Sequence, residues 1–561
     1  MSFISLVTPA ADRSSLSATI DSAINSSDPD WETVIVLSEN DENRQVVEEF
    51  VSIDSRIRSL VLSEAFPSSG AFEKVINEIH GDFLLLTKPG DRLGIGAIES
   101  LKQAQSESPA DLIYGDENLF SPTGELLARH NKSAWSPERL RSHFFVGRFV
   151  AVRTEAAKRA INMGALVETN SWYDLTLRVS EGAQLITHIP KAEYNSTVTE
   201  DEYDSASREF RAPVIDHQTL ENHLDRLGLT NRAQLIRELK TGSFGAKLDH
   251  ELISVVIPTT GTVRRLWGNN AVLIEQCVAA LLQYSSYRAL EITVIADVST
   301  SPDVLERLDE SPQVRVVEYD RNFNYSETIN IGSRYSNGDL MLCLDDDVIP
   351  IDPRWIENLS YFFEEHDVAI VGPTLLNEDF TIQSAGKFFH RGQHDAGWAR
   401  SRRLLESSDK FAYPAERSAV DFSAVLLRLS LFEQLGGLDV DIPTSGAGID
   451  YCSKVASSKN RIIWTPQSRV VHLKESSRPQ PVSESDLHRL RSRWGSRIRE
   501  ADKYLRLVDL ELAGLTVYDR YESWIREQPF LGEVKRPALR SNLTPAPVHP
   551  KLSQSEPPRD S

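Results

Sequence analysis

The chain has 561 residues, of which 40% are hydrophobic and 25% charged, and this length and composition predict two or three globular cores rather than one. Its formal net charge of −21 repels polyphosphate backbones and anionic lipid, so nucleic acid is a poor candidate ligand. A phosphorylated small molecule could still bind where a divalent metal or a helix N-terminus reverses the local potential.

The cysteines and the hydropathy pattern indicate the compartment. Cys277, Cys343 and Cys452 are scattered without metal-ligand spacing, which predicts buried, reduced thiols and no disulfide framework. The N-terminus shows no basic region followed by a long apolar run, and no stretch approaches the roughly 18 apolar residues that span a bilayer. We therefore expect a cytoplasmic protein, soluble or peripherally attached at the inner face of the cell membrane.

Short β-rich apolar runs alternate with amphipathic segments from the first residues onward, which predicts βαβ units and a mostly parallel sheet. In chain order these segments are 3–8, 16–23, 32–37, 46–51 and 83–86. The same rhythm restarts with 252–258, 271–283, 291–295, 303–308 and 340–344. An internal duplication explains the restart, and the fold class is α/β with two tandem domains.

Composition divides the chain further. We predict a first domain at residues 1–200, a linker with short helices at 201–250, and a second domain at 251–480. An Arg-rich amphipathic helical segment follows at 481–535, and the Pro- and Ser-rich residues 536–561 are predicted to be disordered.

An acidic cluster follows the apolar run 340–344. Alternate side chains on extended backbone would place Asp345 and Asp347 on one face at the carboxyl end of a buried strand, where open α/β sheets bind ligands. Two close carboxylates repel unless a cation lies between them, and Mg²⁺ or Mn²⁺ would satisfy them and accept a diphosphate. A solvated acidic turn that caps the next helix is the alternative.

Further motifs accompany this cluster in the second half. They are the strand 253–258, Asp297 after the run 294–296, Asn322 to Ser326 with Asn330, the run 382–386, Gly436 to Asp439, Asp450 to Cys452, and His472 with the run 475–478. Taken together, they resemble the GT-A domain of glycosyltransferase family 2, a Rossmann-like fold, over residues 251–480. The resemblance implies transfer of a sugar from a nucleotide-sugar donor.

The resemblance also implies roles for individual residues. Asp297 would lie at the base or ribose of the nucleotide, Asp345 near the ribose and the metal, and Asp347 would bind Mn²⁺ or Mg²⁺ in a DxD-type motif. His472 would complete the coordination sphere, although a lone histidine after an apolar strand is more often a surface or hydrogen-bonded residue. The remaining residues that would contact the donor are Pro258, Asn330 and Asp346.

The proton acceptor departs from the family pattern. An inverting transferase needs a carboxylate to take the proton of the acceptor hydroxyl, and Gly448 occupies its usual place. The available carboxylates are Asp421, Asp439, Asp441 and Asp450. We expect Asp450 or Asp421 to serve; otherwise the domain would bind donor without efficient transfer.

The first half resembles the same family more loosely, over residues 3–195. Only Asp91 remains of its acidic motif, Lys88 introduces the wrong charge for a metal, and Trp172 stands at the proton-acceptor position. We expect a degenerate domain that offers an acceptor-binding surface or an interface to the second domain.

These sequence features are compatible with three functions. The leading hypothesis is a glycosyltransferase that builds a cell-envelope polysaccharide on a glycan or lipid-linked acceptor, in which the Arg-bearing segment 489–499 either touches a membrane or packs on the second domain. The alternative is an inactive glycan- or nucleotide-binding scaffold of a synthesis complex. A metal-dependent nucleotidyltransferase ranks last, because residues 259–265 form only a weak triphosphate cradle.

Overall fold

The computed structural model describes most of the first 504 residues, and all described residues lie in one compact unit, Met1–Gly514. The described residues are 3–64, 66–142, 144–168, 171–199, 217–234, 251–266, 269–390, 393–395, 414–444, 446–473, 483–499 and 504. Most of the predicted linker, the 475–478 motif, most of the segment 481–535 and the predicted disordered tail lie outside them.

The first half of the molecule, residues 3–199, contains one large sheet with helices on its faces. Its strands are β1 (Ile4–Pro9), β2 (Trp31–Ser38), β3 (Ile57–Leu62), β4 (Phe83–Leu86), β5 (Arg92–Leu93), β6 (Leu112–Phe120), β7 (Leu126–His130), β8 (Val150–Arg153) and β9 (Ile186–Thr197). Its helices are α1 (Arg13–Ile24), α2 (Arg44–Ile53), α3 (Ser69–Glu78), α4 (Ala97–Glu107), α5 (Pro137–Ser142), α6 (Thr154–Ile161) and α7 (Ser171–Gly182). A further helix, α8 (His217–Arg226), belongs to the predicted linker.

The second half, residues 251–499, repeats this plan. Its strands are β10 (Ile253–Thr259), β11 (Val263–Leu266), β12 (Asn269–Val272), β13 (Leu290–Asp297), β14 (Val314–Tyr319), β15 (Leu340–Leu344), β16 (Val348–Pro350), β17 (Val368–Leu376), β18 (Ile382–Ser384), β19 (Phe388–His390), β20 (Gln393–Asp395), β21 (Ala415–Glu416), β22 (Ala424–Arg428) and β23 (Arg461–His472). Its α-helices are α9 (Leu273–Ala279), α10 (Pro302–Asp309), α11 (Tyr325–Ser333), α12 (Glu357–Ser360), α13 (Leu429–Gln434), α14 (Gly446–Ser457) and α15 (Glu484–Arg499).

The two large sheets have the same strand order. The first runs β3-β2-β1-β4-β8-β6-β9-β5 and the second β14-β13-β10-β15-β22-β17-β23-β16. In each, the first four strands are parallel and the antiparallel pairing begins at the fifth. The predicted α/β class is therefore confirmed, and the matching orders are what an internal duplication predicts.

Apolar side chains cover both faces of the second sheet because alternate residues of each strand point to opposite sides. In β10, Val255 and Ile257 belong to one buried cluster, whereas Val256 belongs to the other. Burial of such a side chain contributes about 1.5–3 kcal/mol. A strand that is apolar on both faces is held rigidly, which fixes the polar residues at its carboxyl end.

The cysteines and the helices bear on two expectations drawn from the sequence. The three cysteines, all of them described residues, are buried and form no disulfide, as their spacing predicts. Among the described helices, none combines the length and apolar character needed to cross a membrane.

Candidate functional site

Three predicted metal ligands converge at the carboxyl edge of the second sheet. Asp345 follows β15, Asp347 precedes β16, and His472 ends β23, where it pairs in register with Val348. The Nε2 atom of His472 lies 3.2 Å from Oδ1 of Asp347 and 3.8 Å from Oδ2 of Asp345. One ligand atom from each residue lies within 4.8 Å of the others, a spacing at which one cation can contact all three.

Gln383 fixes the orientation of the histidine. Its Oε1 lies 2.7 Å from Nδ1 of His472, and its Nε2 donates to the His472 carbonyl and to Asn377 Oδ1. Because its amide nitrogen is engaged as a donor, Gln383 accepts at Oε1, and the Nδ1 atom must carry a proton. A neutral His472 therefore presents the lone pair of Nε2 to the two aspartates, the tautomer that a metal requires.

The pKa values of this cluster indicate that it favours a positive charge. Burial, followed by the charge of Asp347, raises the pKa of Asp345 to about 7. Burial alone would lower the pKa of His472, but Asp347 and Asp345 outweigh it and raise that pKa to about 9. In the metal-free state the histidine therefore acts as the counter-cation of the two carboxylates, and a divalent metal would replace its proton.

Asp346 points to a different neighbour. Thr259 Oγ1, at the end of β10, donates to Asp346 Oδ2 over 2.6 Å. Burial, with a smaller contribution from Asp347, raises the pKa of Asp346 to about 7. Pro258 is buried beside Thr259 in β10, so the strand holds both residues at the same edge as the metal ligands.

Asp421 lies close enough to influence this cluster. Its charge contributes to the raised pKa values of Asp345 and His472. Lys387 Nζ lies 2.9 Å from Asp421 Oδ2, and Ser423 donates to Oδ1. Burial alone would raise the pKa of Asp421, but Lys387 outweighs it and holds that pKa well below the usual range.

Asp450 has a different environment. It is fully buried on α14, and its Oδ1 accepts hydrogen bonds from Trp494 Nε1 at 2.9 Å and Arg493 Nη1 at 3.1 Å. Both donors belong to α15, whose arginines also pair with the other two candidate carboxylates, Asp439 and Asp441. These contacts pack α15 on the second half.

The departure at Gly448 has a steric cause. A Cβ atom built on Gly448 would lie 2.6 Å from Cδ2 of Phe422, closer than carbon atoms approach. The ring of Phe422 therefore fills the space that a side chain at this position would need. Asp421 directly precedes Phe422 in the chain. The segment that blocks a side chain at position 448 therefore also carries a carboxylate.

Two further predicted donor contacts make local bonds. Asp297, at the end of β13, accepts from the backbone N–H and hydroxyl of Ser299 at 2.9 and 2.6 Å. Asn330 bonds both backbone polar groups of Leu438, at 2.9 and 2.8 Å, and so fixes the turn at Gly437, whose φ is 67°. Contact of either side chain with a donor stays a prediction.

At the corresponding position of the first half, an arginine side chain pairs with the carboxylate. Asp91 precedes β5 as Asp347 precedes β16, and both are almost fully buried. Arg148 Nη1 lies 2.9 Å from Asp91 Oδ1, and Tyr194 donates to the other oxygen over 2.9 Å. Arg92, which follows Asp91, pairs in register with Asn195, whereas Val348, which follows Asp347, pairs in register with His472. Asn195 therefore occupies the position in the first sheet that His472 occupies in the second. This half therefore neutralises its carboxylate internally.

Sequence patterns identified the aspartates and the histidine but missed three residues of the site. Thr259, Gln383 and Lys387 contact Asp346, His472 and Asp421 respectively. Gln383 lies within the run 382–386, which supported the family resemblance, and this motif was the sequence feature that could have identified it. Nothing in the local sequence distinguishes Thr259 or Lys387.

The chain is similar to several known proteins. Residues 254–435 match the family described as Glycosyl transferase family 2. The chain is 27% identical over 497 residues to the O-antigen biosynthesis protein RfbC of Myxococcus xanthus, covering 85% of this chain and 38% of that protein. It is 26% identical over 502 residues to the uncharacterized protein y4gI of Sinorhizobium fredii (strain NBRC 101917 / NGR234), covering 85% and 53%. The chain thus spans about half or less of the length of these curated relatives.

Among solved structures, the chain resembles GalNAc-T7 crystallised with UDP, GalNAc and Mn²⁺. The TM-score is 0.36 at 17% sequence identity, over 45% of this chain and 50% of that one. The family assignment rests on the match of residues 254–435 rather than on this superposition.

Proposed function

Because residues 254–435 form a glycosyl transferase family 2 domain, we propose that the protein transfers a sugar from a nucleotide-sugar donor to a glycan or lipid-linked glycan. The convergence of Asp345 and Asp347 of that domain with His472, which follows it in the chain, is the observation that carries the proposal. The similarity to an O-antigen biosynthesis protein supports a role in cell-surface polysaccharide synthesis.

The second half supplies the donor site. Asp345, Asp347 and His472 would hold Mn²⁺ or Mg²⁺, which when bound neutralises charge on the leaving diphosphate. Asp346 and Thr259 lie at the same edge, where their oxygens can bond ribose hydroxyls. Asp297, at the end of the neighbouring parallel strand, is proposed to contact the nucleoside. Attack by the acceptor from the opposite side of the anomeric carbon would invert its configuration.

Asp421 is the better placed of the two candidate proton acceptors. Its side chain is 24% exposed and electrostatically coupled to two metal ligands, whereas that of Asp450 is fully buried and bonded to α15. The pair with Lys387 depresses the basicity of Asp421. The acceptor hydroxyl would therefore lose its proton to Asp421 only when that ion pair loosens.

The experiment measures donor binding and turnover by the full chain. UDP-, GDP- and dTDP-sugars are screened for Mn²⁺-dependent thermal stabilisation and for hydrolysis or transfer, since a ligand that binds the folded state raises its apparent stability. We expect one donor class to respond. Asp347→Ala should abolish the shift, and Lys88→Ala, in the first half, should preserve it; a shift that survives Asp347→Ala overturns the proposed metal site.

The second candidate function is a binding scaffold that lacks turnover. Phe422 fills the place of the usual base, and Asp421, which precedes Phe422, is held in an ion pair with Lys387. This candidate predicts Mn²⁺-dependent donor binding without hydrolysis or transfer. Detection of either reaction in wild type, and its loss in Asp421→Asn, excludes it.

A further inference from the structure

A buried ionic junction joins the two halves of the molecule. We define it by Glu138 and Arg141 of α5, Arg232 of the linker, and Glu365, Glu416 and Arg461 of the second half. Arg141 Nη1 lies 2.7 Å from both Glu138 Oε1 and Glu365 Oε1. Arg461 lies 2.8 Å from Glu365 Oε2 and 3.1 Å from Glu416 Oε1. The arginines thus bridge carboxylates that belong to different halves.

The linker residue Arg232 completes the junction. Its Nη2 lies 2.5 Å from Glu138 Oε2, its Nη1 lies 3.0 Å from Glu365 Oε1, and its guanidinium stacks over Phe362. The backbone N–H groups of Asn231 and Arg232 also donate to Glu364. The linker therefore contacts both halves through the Arg232 side chain and the second half also through its backbone.

Burial makes the junction difficult to open. The side chain of Glu138 has no exposed surface, and that of Glu416 is 1% exposed. Removing one partner of such a pair leaves an uncompensated buried charge, which costs far more than an exposed ion pair contributes. The two halves should therefore stay fixed relative to each other under native conditions.

The junction is connected to the candidate site through two short segments. Ser136 Oγ and the backbone N–H of Glu138 donate to Glu416 in β21. Glu416 pairs in register with Ile463 of β23, and β23 ends at His472. Continuing from β21, the chain reaches Asp421 after five residues, beyond a bridge between Ala419 and Lys387.

We propose that the first half is a built-in positioning partner of the second, which holds β21 and the start of β23 through Ser136 and Glu138. In this way it would fix the segments that end in Asp421 and His472. In the first half, Asp91, which corresponds to Asp347, is paired with Arg148. The catalytic consequence rests on the proposed function; the mechanical coupling does not.

Hydrogen exchange of the full chain tests the coupling. We compare wild type with Ser136→Ala and Arg232→Gln, and follow amides of residues 415–424 and 461–473. Both variants should speed exchange there by on the order of tenfold, because support from the first half is lost. Ser133→Ala is the matched control: Ser133 is equally buried in the first half, and its hydroxyl accepts from Arg139. The control should leave both segments unchanged.

Unchanged exchange of both segments in Ser136→Ala and Arg232→Gln would overturn the proposal. Exchange that rises throughout the chain in Arg232→Gln would show general destabilisation, and the milder Ser136→Ala variant then decides the question. Faster exchange confined to the two segments in Ser136→Ala supports the coupling, and unchanged exchange there refutes it. Arg232→Lys, which keeps the charge, should restore at least part of the protection.

Turnover supplies the second readout. If wild type turns over a donor, Ser136→Ala should lower kcat about fivefold and leave the KM for donor within about twofold, since the donor contacts lie elsewhere. An unchanged kcat contradicts a positioning role. If wild type shows neither donor binding nor turnover, the proposed function fails, while the exchange experiment still decides the coupling.

Discussion

Asp91 and Asp347 stand at the same point of two sheets with the same strand order, yet they are neutralised in different ways. Arg148 lies 2.9 Å from Asp91, whereas His472 lies 3.2 Å from Asp347. An arginine cannot release its proton at physiological pH, but a histidine can. Only the second carboxylate can therefore exchange its counter-charge for a metal.

Arg148→Met should destabilise the protein without affecting metal binding. Asp91 is fully buried, so removal of its cation should cost about 3 kcal/mol of unfolding free energy. Urea denaturation measures the loss, and Mn²⁺-dependent stabilisation of the surviving fold should match that of wild type. A cost below about 1 kcal/mol would show that Arg148 does not neutralise Asp91.

The stability of the metal-free protein should decrease as pH rises. The folded-state pKa of Asp345 and of Asp346 is raised from 3.8 to about 7, and that of His472 from 6.5 to about 9. Above about pH 6.5, carboxyl groups with lowered pKa values, such as Asp421, are ionised in both states, whereas these three groups bind more protons in the folded state. The free energy of unfolding therefore falls as pH rises through this range. The carboxylates account for the decrease up to about pH 7 and His472 for that between 6.5 and 9.

Saturating Mn²⁺ should reverse this dependence, because metal binding requires the deprotonated ligands. Urea denaturation at pH 6.5 and 9, with and without Mn²⁺, measures both trends. His472→Gln should flatten the metal-free decrease across that interval. A metal-free stability that rises between these pH values would contradict the assigned proton on His472.

Gly448→Asp should fail to restore the usual proton acceptor. Phe422 occupies the space, so overpacking should cost about 1–3 kcal/mol and leave transfer unimproved. Phe422→Ala removes a buried ring and is itself destabilising, but in that background Gly448→Asp should cost less than in wild type, because the competing ring is gone. Calorimetry of the single and double variants measures the interaction; additive effects would show that the two side chains do not compete.

Asp421→Asn and Asp450→Asn should separate the two candidate bases. Asp421→Asn should reduce kcat by about 100-fold or more and leave most of the Mn²⁺-dependent donor stabilisation in place, because Asp421 is not one of the proposed metal ligands. Asp450→Asn should lower stability, since it weakens the bonds to Arg493 and Trp494. The opposite pattern of effects would assign the base to Asp450.

Lys387→Met should move the acidic limb of the pH–rate profile to higher pH. The Lys387 ammonium holds the pKa of Asp421 low, and its loss makes the carboxylate a stronger base that is protonated at higher pH. Lys387→Arg keeps the charge and serves as the control. An acidic limb that stays in place in Lys387→Met would indicate that another group accepts the proton.

The fold and the convergence of the three proposed metal ligands could be predicted from sequence because much of their signal is local. The apolar run of β15 stops at Asp345, and β23 is an apolar strand that ends at His472. Strand order then brings the ends of these strands together at one edge. Periodicity and spacing identified the strands and the acidic cluster, whereas the role of His472 was implied by the family resemblance.

The remaining parts of the site depend on contacts between residues far apart in the chain. Gln383 and His472 are separated by 89 positions, and Ser136 and Glu416 by 280. The obstruction of Gly448 by Phe422 likewise results from packing between a loop and a helix. No local pattern encodes these contacts, so the sequence indicated a missing base but not the reason for it.

Titration of the full chain with Mn²⁺ by calorimetry tests the central claim most directly, because it measures metal binding without an assumed donor or acceptor. Wild type should bind with proton release at pH 7.5, as the metal replaces the proton on His472. Asp347→Asn should weaken the affinity by at least about tenfold, and Asp91→Asn should leave it unchanged. Equal affinities for wild type and Asp347→Asn would contradict the account.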